Sequence, residues 1–149
     1  MSDMYEVIRQ QMASIVPFAT HAGVEIVSLE NGAASARLPQ SDTSINHIGS
    51  QHAGALFTLG EAASGAAMSG AVADQLMSIR PVAAKASINY LKIAKGTIAA
   101  FAKTSLPGDA IKEGLAKDGK IQFDVTVSLR DQSEREVATM TVAWHLKKT

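Results

Sequence analysis

One residue stands out for the chemistry it could do. Glu61 is the only charged residue between Ala53 and Ala73, in a run dominated by Ala, Gly and Ser. A carboxylate in apolar surroundings is costly to bury unless it is paired or hydrogen-bonded. Burial raises its proton affinity, which is one way to make a useful base or acid. Just ahead lies the polar segment Asn46-His47-Ile48-Gly49-Ser50-Gln51-His52, followed by Ala53-Gly54. A helix beginning there presents unpaired N–H groups and the positive end of its dipole at Ala53 and Gly54. Asn46 adds a side-chain NH₂ donor. Each residue also has a plainer reading. Glu61 can emerge at a helix edge, solvated or salt-bridged. His52 can position substrate or simply cap the helix start, and Asn46 can be a turn residue that satisfies its own loop.

The elements that must position these groups follow from periodicity. Asp3 to Val16 places Met4, Val7, Ile8, Met12, Ile15 and Val16 at helical spacing, with Ser2 or Asp3 as cap and Pro17 as terminator. Gly23 to Pro39 reads as a hairpin turning at Asn31-Gly32, with Val24, Ile26 and Leu29 on one side and Ala34, Ala36 and Leu38 on the return. Gln40 to Gly49 is a polar loop. His52 to about Ala73 is the main helix, with a narrow stripe of Leu56, Leu59, Ala63, Ala66 and Ala67. Strands follow over Pro81–Ile93, Thr97–Leu106, Ile121–Leu129 and Val137–Leu146, and a helical turn over Ala110–Lys117 interrupts them. Antiparallel strands with segregated helices predict an α+β fold, a sheet packed on one main helix. Nothing divides the chain, so residues 1–149 are expected to form one domain.

Composition bounds the function. The 149 residues are long enough to bury a core, and 14 basic and 14 acidic residues leave no net charge. That gives no general electrostatic case for nucleic acid or a membrane surface, and it favours self-association. Cysteine is absent, which removes disulfides, thiolate metal sites and Cys nucleophiles. The four His are too scattered to suggest a zinc site. His47 falls in the loop, and His21 and His145 read as structural. The start, Met1-Ser2-Asp3-Met4-Tyr5-Glu6, lacks the pattern of a signal peptide. The mid-run Glu and the many Gly and Ser argue against a membrane span at Ala53–Ala73, so a cytoplasmic protein is expected.

The stretch from Asn46 through His52-Ala53-Gly54-Ala55-Leu56-Phe57-Thr58-Leu59-Gly60 to Glu61 resembles the signature of hotdog-fold acyl-CoA thioesterases of the PaaI-like type. That signature has Asn, a short Gly-containing loop, His-Gly-Gly, an apolar turn or two, then Asp or Glu. The run Ala86-Ser87-Ile88-Asn89-Tyr90-Leu91-Lys92-Ile93-Ala94-Lys95-Gly96 is similar to the strand that follows in those proteins, and the details resemble an uncharacterised thioesterase-like subgroup. Three positions depart from the pattern. Ala53 replaces the first Gly, Ala83 falls near where some relatives carry a water-orienting Ser, and Ile93-Ala94 replaces a Pro.

The resemblance implies a hotdog fold, an antiparallel sheet wrapped around one long central helix. It implies an acyl-CoA thioester as small-molecule substrate, with no cofactor beyond the coenzyme A of the substrate itself. Thioester hydrolysis needs an oriented water or a nucleophile, and donors for the developing oxyanion. In this reading Glu61 is general base or nucleophile, Ala53 and Gly54 offer amides, and Asn46 and His52 support them. Glu61 lies roughly 12 Å down the helix axis from His52, too far for contact within one chain. The resemblance resolves this by assembling the site between two subunits of a homodimer, or of a dimer of dimers. Arg80, Lys85, Lys92 and Lys95 either meet the phosphates of coenzyme A or form a solvated strand edge. A non-catalytic acyl-CoA or lipid-binding protein is the alternative on the same fold.

Overall fold

The structure is a computed structural model and describes residues 2–149, with side chains from Asp3 onward; a cap at Ser2 therefore lies outside the described residues. Helix α1 spans Ser2–Ile15. Its apolar stripe is only partly used: Ile8 is buried, with Tyr5 and Met12 packed beside it. Pro17 does stop α1, but it also opens a second helix, α2, over Pro17–Ala22. At the first helical position the missing N–H of proline removes no bond and its fixed φ suits the helix. Gly23 closes α2 at φ 96°, a left-handed geometry that glycine adopts without strain. The sequence pattern shows Pro17 only as a terminator; the structure adds this second helix, because the same proline also suits a first helical position.

Strands β1 (Glu25–Glu30) and β2 (Ala33–Leu38) form the expected hairpin around Asn31-Gly32. A register shift between Ile26 and Ser28 puts Ile26 and Leu29, three apart, on the same buried side. The long helix α3 runs Ala53–Ala71, and a 3-10 turn over Ala73–Ser78 follows it. Strands β3 (Ile79–Tyr90) and β4 (Ile98–Thr104) come next, then helix α4 (Gly108–Asp118), β5 (Lys120–Arg130) and β6 (Glu136–Lys148). What the periodicity offered as a helical turn at Ala110–Lys117 is an eleven-residue helix that buries Ile111 and Leu115 against β5.

All six strands form one antiparallel sheet in the order β1-β2-β4-β5-β6-β3. Its concave face packs on α3. Ala34, Ala36 and Leu38 of β2, Ile98, Ala100 and Ala102 of β4, and Val125, Val127 and Leu129 of β5 alternate into that contact. From the helix side Leu59, Ala63, Ala66 and Ala67 are completely buried. Alanines here let the helix axis lie close to the sheet. β6 turns Ala138, Met140, Val142, Trp144 and Leu146 inward. β3 is different. Its inner neighbour is β6, its outer edge pairs with nothing among the described residues, and most of its own residues are exposed. A register shift between Ala83 and Lys85 breaks its alternation; Ile79 at its start is buried in the core, and beyond the shift Ala86 and Ile88 pack against it.

Candidate active site

The start of α3 is tied down by its own loop. Asn46 Oδ1 accepts from the backbone N–H of Ile48 and of Ser50, each at 3.1 Å. Asn46 Nδ2 donates to Ser50 Oγ at 2.8 Å, and its backbone N–H donates to Ser50 O. Asn46 thus holds the loop closed. Gln51 anchors the same loop deeper, its Nε2 donating to Leu38 O and Gly96 O at 3.0 Å each.

His52 is the N-cap residue of α3. Its Nδ1 accepts from Gly54 N–H at 2.8 Å, the bond a capping side chain makes to the second helical amide. Gly54 N–H is therefore engaged by His52. The Ala53 N–H has no hydrogen bond among the described residues, and Ala53 is exposed. The Ala53 carbonyl accepts the Tyr90 hydroxyl at 2.9 Å, which ties the helix start to the end of the edge strand. Asn46, Ala53 and Tyr90, with Lys92, line one open groove of about 430 Å³. Arg80, Lys85 and Lys95 are exposed along and beyond β3 and lie outside that groove.

Glu61 sits two turns further along α3 and does not face this groove. It lines a separate cavity of about 250 Å³ between α3 and the two N-terminal helices. Met12, Ile15, Val16 and Ala19 form one wall, Val24 and Ile26 the second, and Pro81 and Trp144 close the third. From α3 come Glu61, Ala62, Gly65, Met68 and Ser69. Among the described residues the Glu61 carboxylate has no ion pair and no side-chain hydrogen bond. Burial alone pushes its pKa up from the ordinary 4.5. The carboxyl is thus half-buried at an apolar cavity with nothing to neutralise it, a state that structural carboxylates avoid.

A short hydrogen-bond chain fixes the helix at this point. Trp144 Nε1–H donates to Ser64 Oγ at 2.9 Å, and Ser64 Oγ–H donates to the Glu61 carbonyl at 2.7 Å. Trp144 gains a buried partner for its only polar atom, and its ring becomes a fixed wall of the cavity. Neither Ser64 nor Trp144 was singled out in the sequence, where a Ser within an Ala-rich helix carries no signal. The face Glu61, Gly65, Ser69 was readable as an i, i+4, i+8 series. Its significance was hidden because α2, which roofs it, was not anticipated.

Within one chain, then, the structure brings together Asn46, His52, Ala53 and Gly54 at the helix start, and it leaves Glu61 in a different cavity. Among the described residues no group of three or more His, Asp or Glu gathers as a metal cradle. No helix among them is long and apolar enough to cross a membrane.

A sheet of this order wrapped on a long helix, with an acid in mid-helix and a capped polar loop before it, defines a class: the hotdog fold of the thioesterase superfamily. Solved structures carry the same architecture. A Pseudomonas aeruginosa protein of unknown function, described as a probable thioesterase, superposes with a TM-score of 0.81 at 25% identity, covering 97% of this chain and 95% of that one. A conserved protein of the same organism gives 0.74 at 26% identity, over 93% and 98%. The PaaI protein of E. coli, from the phenylacetic acid degradation operon, gives 0.72 at 21% identity, over 97% and 94%. No curated protein matches the sequence. The chain belongs to the family described as a domain of unknown function, DUF4442, which matches residues 5–146.

Proposed function

We propose that the protein, as one hotdog domain of the PaaI-like thioesterase type, is a cytoplasmic enzyme that hydrolyses an acyl-CoA thioester, with Glu61 as general base. The observation that carries this reading is the unpaired, half-buried Glu61 carboxylate on an apolar cavity of acyl-group size. A pKa raised by burial makes the carboxylate a stronger base than a solvated one. Glu61 takes a proton from water as the water oxygen adds to the thioester carbonyl. The tetrahedral intermediate then collapses, the C–S bond breaks, and the thiolate leaves with the proton returned from Glu61. The products are a carboxylic acid and coenzyme A, and the reaction draws on no further cofactor.

The oxyanion needs donors in place before reaction. Ala53 N–H is the free amide at the helix start, and the second N–H of the Asn46 amide group joins it from the same groove. His52 acts one step back, holding Gly54 and with it the first turn. The acid and these donors belong to different cavities of one chain, so the reading requires two chains, Glu61 of one facing Asn46 and Ala53 of the other. The twelve-residue outer edge of β3 supports that assembly. Its unpaired backbone is a template for a second strand, and Val82 and Tyr90, both half-exposed, flank it. Lys92, in the groove with Ala53, is the basic residue best placed for a phosphate of coenzyme A.

The test is thiol release from a panel of acyl-CoA thioesters by the purified protein beside Glu61→Gln. Hydrolysis that falls at least 100-fold in the variant is expected. Turnover unchanged by the substitution removes Glu61 from the mechanism. Saturable binding of acyl-CoA with no thiol release from the wild type overturns the hydrolase reading in favour of a binding protein. Single-turnover hydrolysis in ¹⁸O water separates base from nucleophile, because label appearing in the Glu61 carboxyl would mean that it had attacked the carbonyl itself.

A further inference from the structure

The far end of the Glu61 cavity holds a second polar group that the proposed hydrolysis does not use. Ser69 is only 5% exposed and lines the cavity. The other buried hydroxyls of α3 are satisfied locally: Thr58 donates to Gly54 O at 2.8 Å, and Ser64 donates to Glu61 O. This back-bonding is what a helical Ser or Thr does when nothing else is on offer. Ser69 makes no hydrogen bond among the described residues, so its hydroxyl faces the cavity unpartnered. Its oxygen is not among the fully enclosed unpartnered atoms of the described residues, so it is open to the cavity and free to bond what enters it.

The geometry relates the two groups. Glu61, Gly65 and Ser69 lie one above another on a single face of α3, and eight residues of helix separate the ends by about 12 Å. Gly65 is the clearance between them. A Cβ there would stand 3.3 Å from Trp144 Cζ2, so the glycine keeps the cavity open between the helix and the indole. A cavity of about 150 Å³ accepts benzene, so 250 Å³ accommodates roughly ten non-hydrogen atoms. An extended acyl chain of that size spans the distance from Glu61 to Ser69.

We propose that the acyl group lies along this face of α3 with its carbonyl end at Glu61 and a hydrogen-bonding oxygen at its far end on Ser69. The preferred substrate is therefore a medium-length acyl thioester, of about seven to nine carbons, oxygenated near its terminus. The inference rests on the thioesterase reading for the word substrate, but the recognition it describes is a property of the cavity.

Two measurements test it. The first compares kcat/KM for 8-hydroxyoctanoyl-CoA and octanoyl-CoA in the wild type and in Ser69→Ala. The hydroxylated substrate is expected to be favoured about tenfold in the wild type, as one hydrogen bond to an otherwise unpaired group gives. The preference is expected to disappear in the variant. A ratio of two substrates on one preparation is independent of how much of the variant is folded. The second measures calorimetric affinities of 8-hydroxyoctanamide and octanamide, neutral mimics that need no hydrolysis, and the same preference and the same loss are expected. An equal affinity for the two amides, or a ratio unmoved by Ser69→Ala, overturns the inference even if thioesters are hydrolysed. Discrimination between the amides without hydrolysis of either thioester overturns the enzyme reading and leaves the inference standing.

Discussion

Gly70→Ala tests how the helix that carries Glu61 and Ser69 is seated. The C-terminal part of α3 crosses the β1–β2 hairpin at closest approach here. A Cβ on Gly70 would stand 1.9 Å from the carbonyl oxygen of Glu30, 2.8 Å from its carbon and 3.2 Å from Leu29 Cδ2. Real Cβ contacts essentially never fall below 3.0 Å, so the helix and hairpin must part by about 1.1 Å or more. The atom met is backbone within a paired hairpin, and no rotamer change relieves it. Two opposing effects set the outcome. Alanine gains about 1 kcal/mol over glycine within a helix. Overpacking a core typically costs about 1–3 kcal/mol and more when backbone must move, so about 3 kcal/mol is expected at this site. The net loss is about 2 kcal/mol, which for a chain of this length lowers Tm by about 4–8 °C. Thermal and urea denaturation at one fixed protein concentration read it, with an unchanged m-value showing that stability and not compactness has moved. Gly114→Ala is the comparison, because a Cβ there meets Ile121 Cδ1, the free end of a flexible side chain, and a change within about 1 kcal/mol is expected. Stability of Gly70→Ala equal to or above the wild type would refute the seating of α3 on the hairpin.

Three further outcomes follow from the same geometry. Because burial raises the folded-state pKa of Glu61 above its unfolded value, the protonated form is the one the fold favours. That contribution is present below about pH 4.5 and is lost as pH rises through the folded pKa, so Glu61→Gln should unfold at a higher temperature than wild type at pH 7–8, with the difference closing below pH 4. Ser64→Ala strands the Trp144 indole N–H and is expected to cost about 1–3 kcal/mol by urea denaturation. Val82→Asp places like charges on both copies of a paired β3 edge. Light scattering coupled to size-exclusion chromatography should show a dimer for the wild type and a smaller species for the variant, with thiol release lost in parallel; a variant dimer of full activity would place the interface elsewhere.

How much of this was legible in the sequence depended on whether the signal was local. Strand alternation in β2, β4 and β5 is set by burial on one face, and Ala34, Ala36 and Leu38 or Val125, Val127 and Leu129 display it directly. The hairpin turn at Asn31-Gly32 and the start of α3 at His52 are equally local, and His52 does the capping that its position suggested. What escaped notice depends on distant partners. Pro17 has two opposite meanings, terminator of one helix and opener of the next, and only the packing of α2 against α3 decides between them. The bulges at Ile26–Ser28 and Ala83–Lys85 shift register for reasons that lie in the neighbouring strands. For the candidate site, the residue types were visible but their allegiances were not. Gly54 N–H and Asn46 look like free donors in the sequence, and in the structure His52 holds the first while the loop uses much of the second.

The small residues of α3 carry two separate demands on opposite sides of one helix. On the sheet side Ala63, Ala66 and Ala67 are fully buried, and Gly60 lies where a Cβ would meet Met140 Sδ at 2.5 Å; there smallness brings helix and sheet into contact. On the other side Ala62 and Gly65 are small beneath α1 and α2, and there smallness leaves a cavity instead of closing one. A helix selected only for packing would fill that second side, since an empty apolar volume forfeits dispersion contacts and destabilises the fold. Leaving it open beside the half-buried Glu61 carboxyl, which burial alone perturbs, adds a second penalty on the same face. Two costs on one helix face, with the unpartnered Ser69 hydroxyl at its far end, argue that the face is kept for something that fills the cavity and carries a polar group at each end.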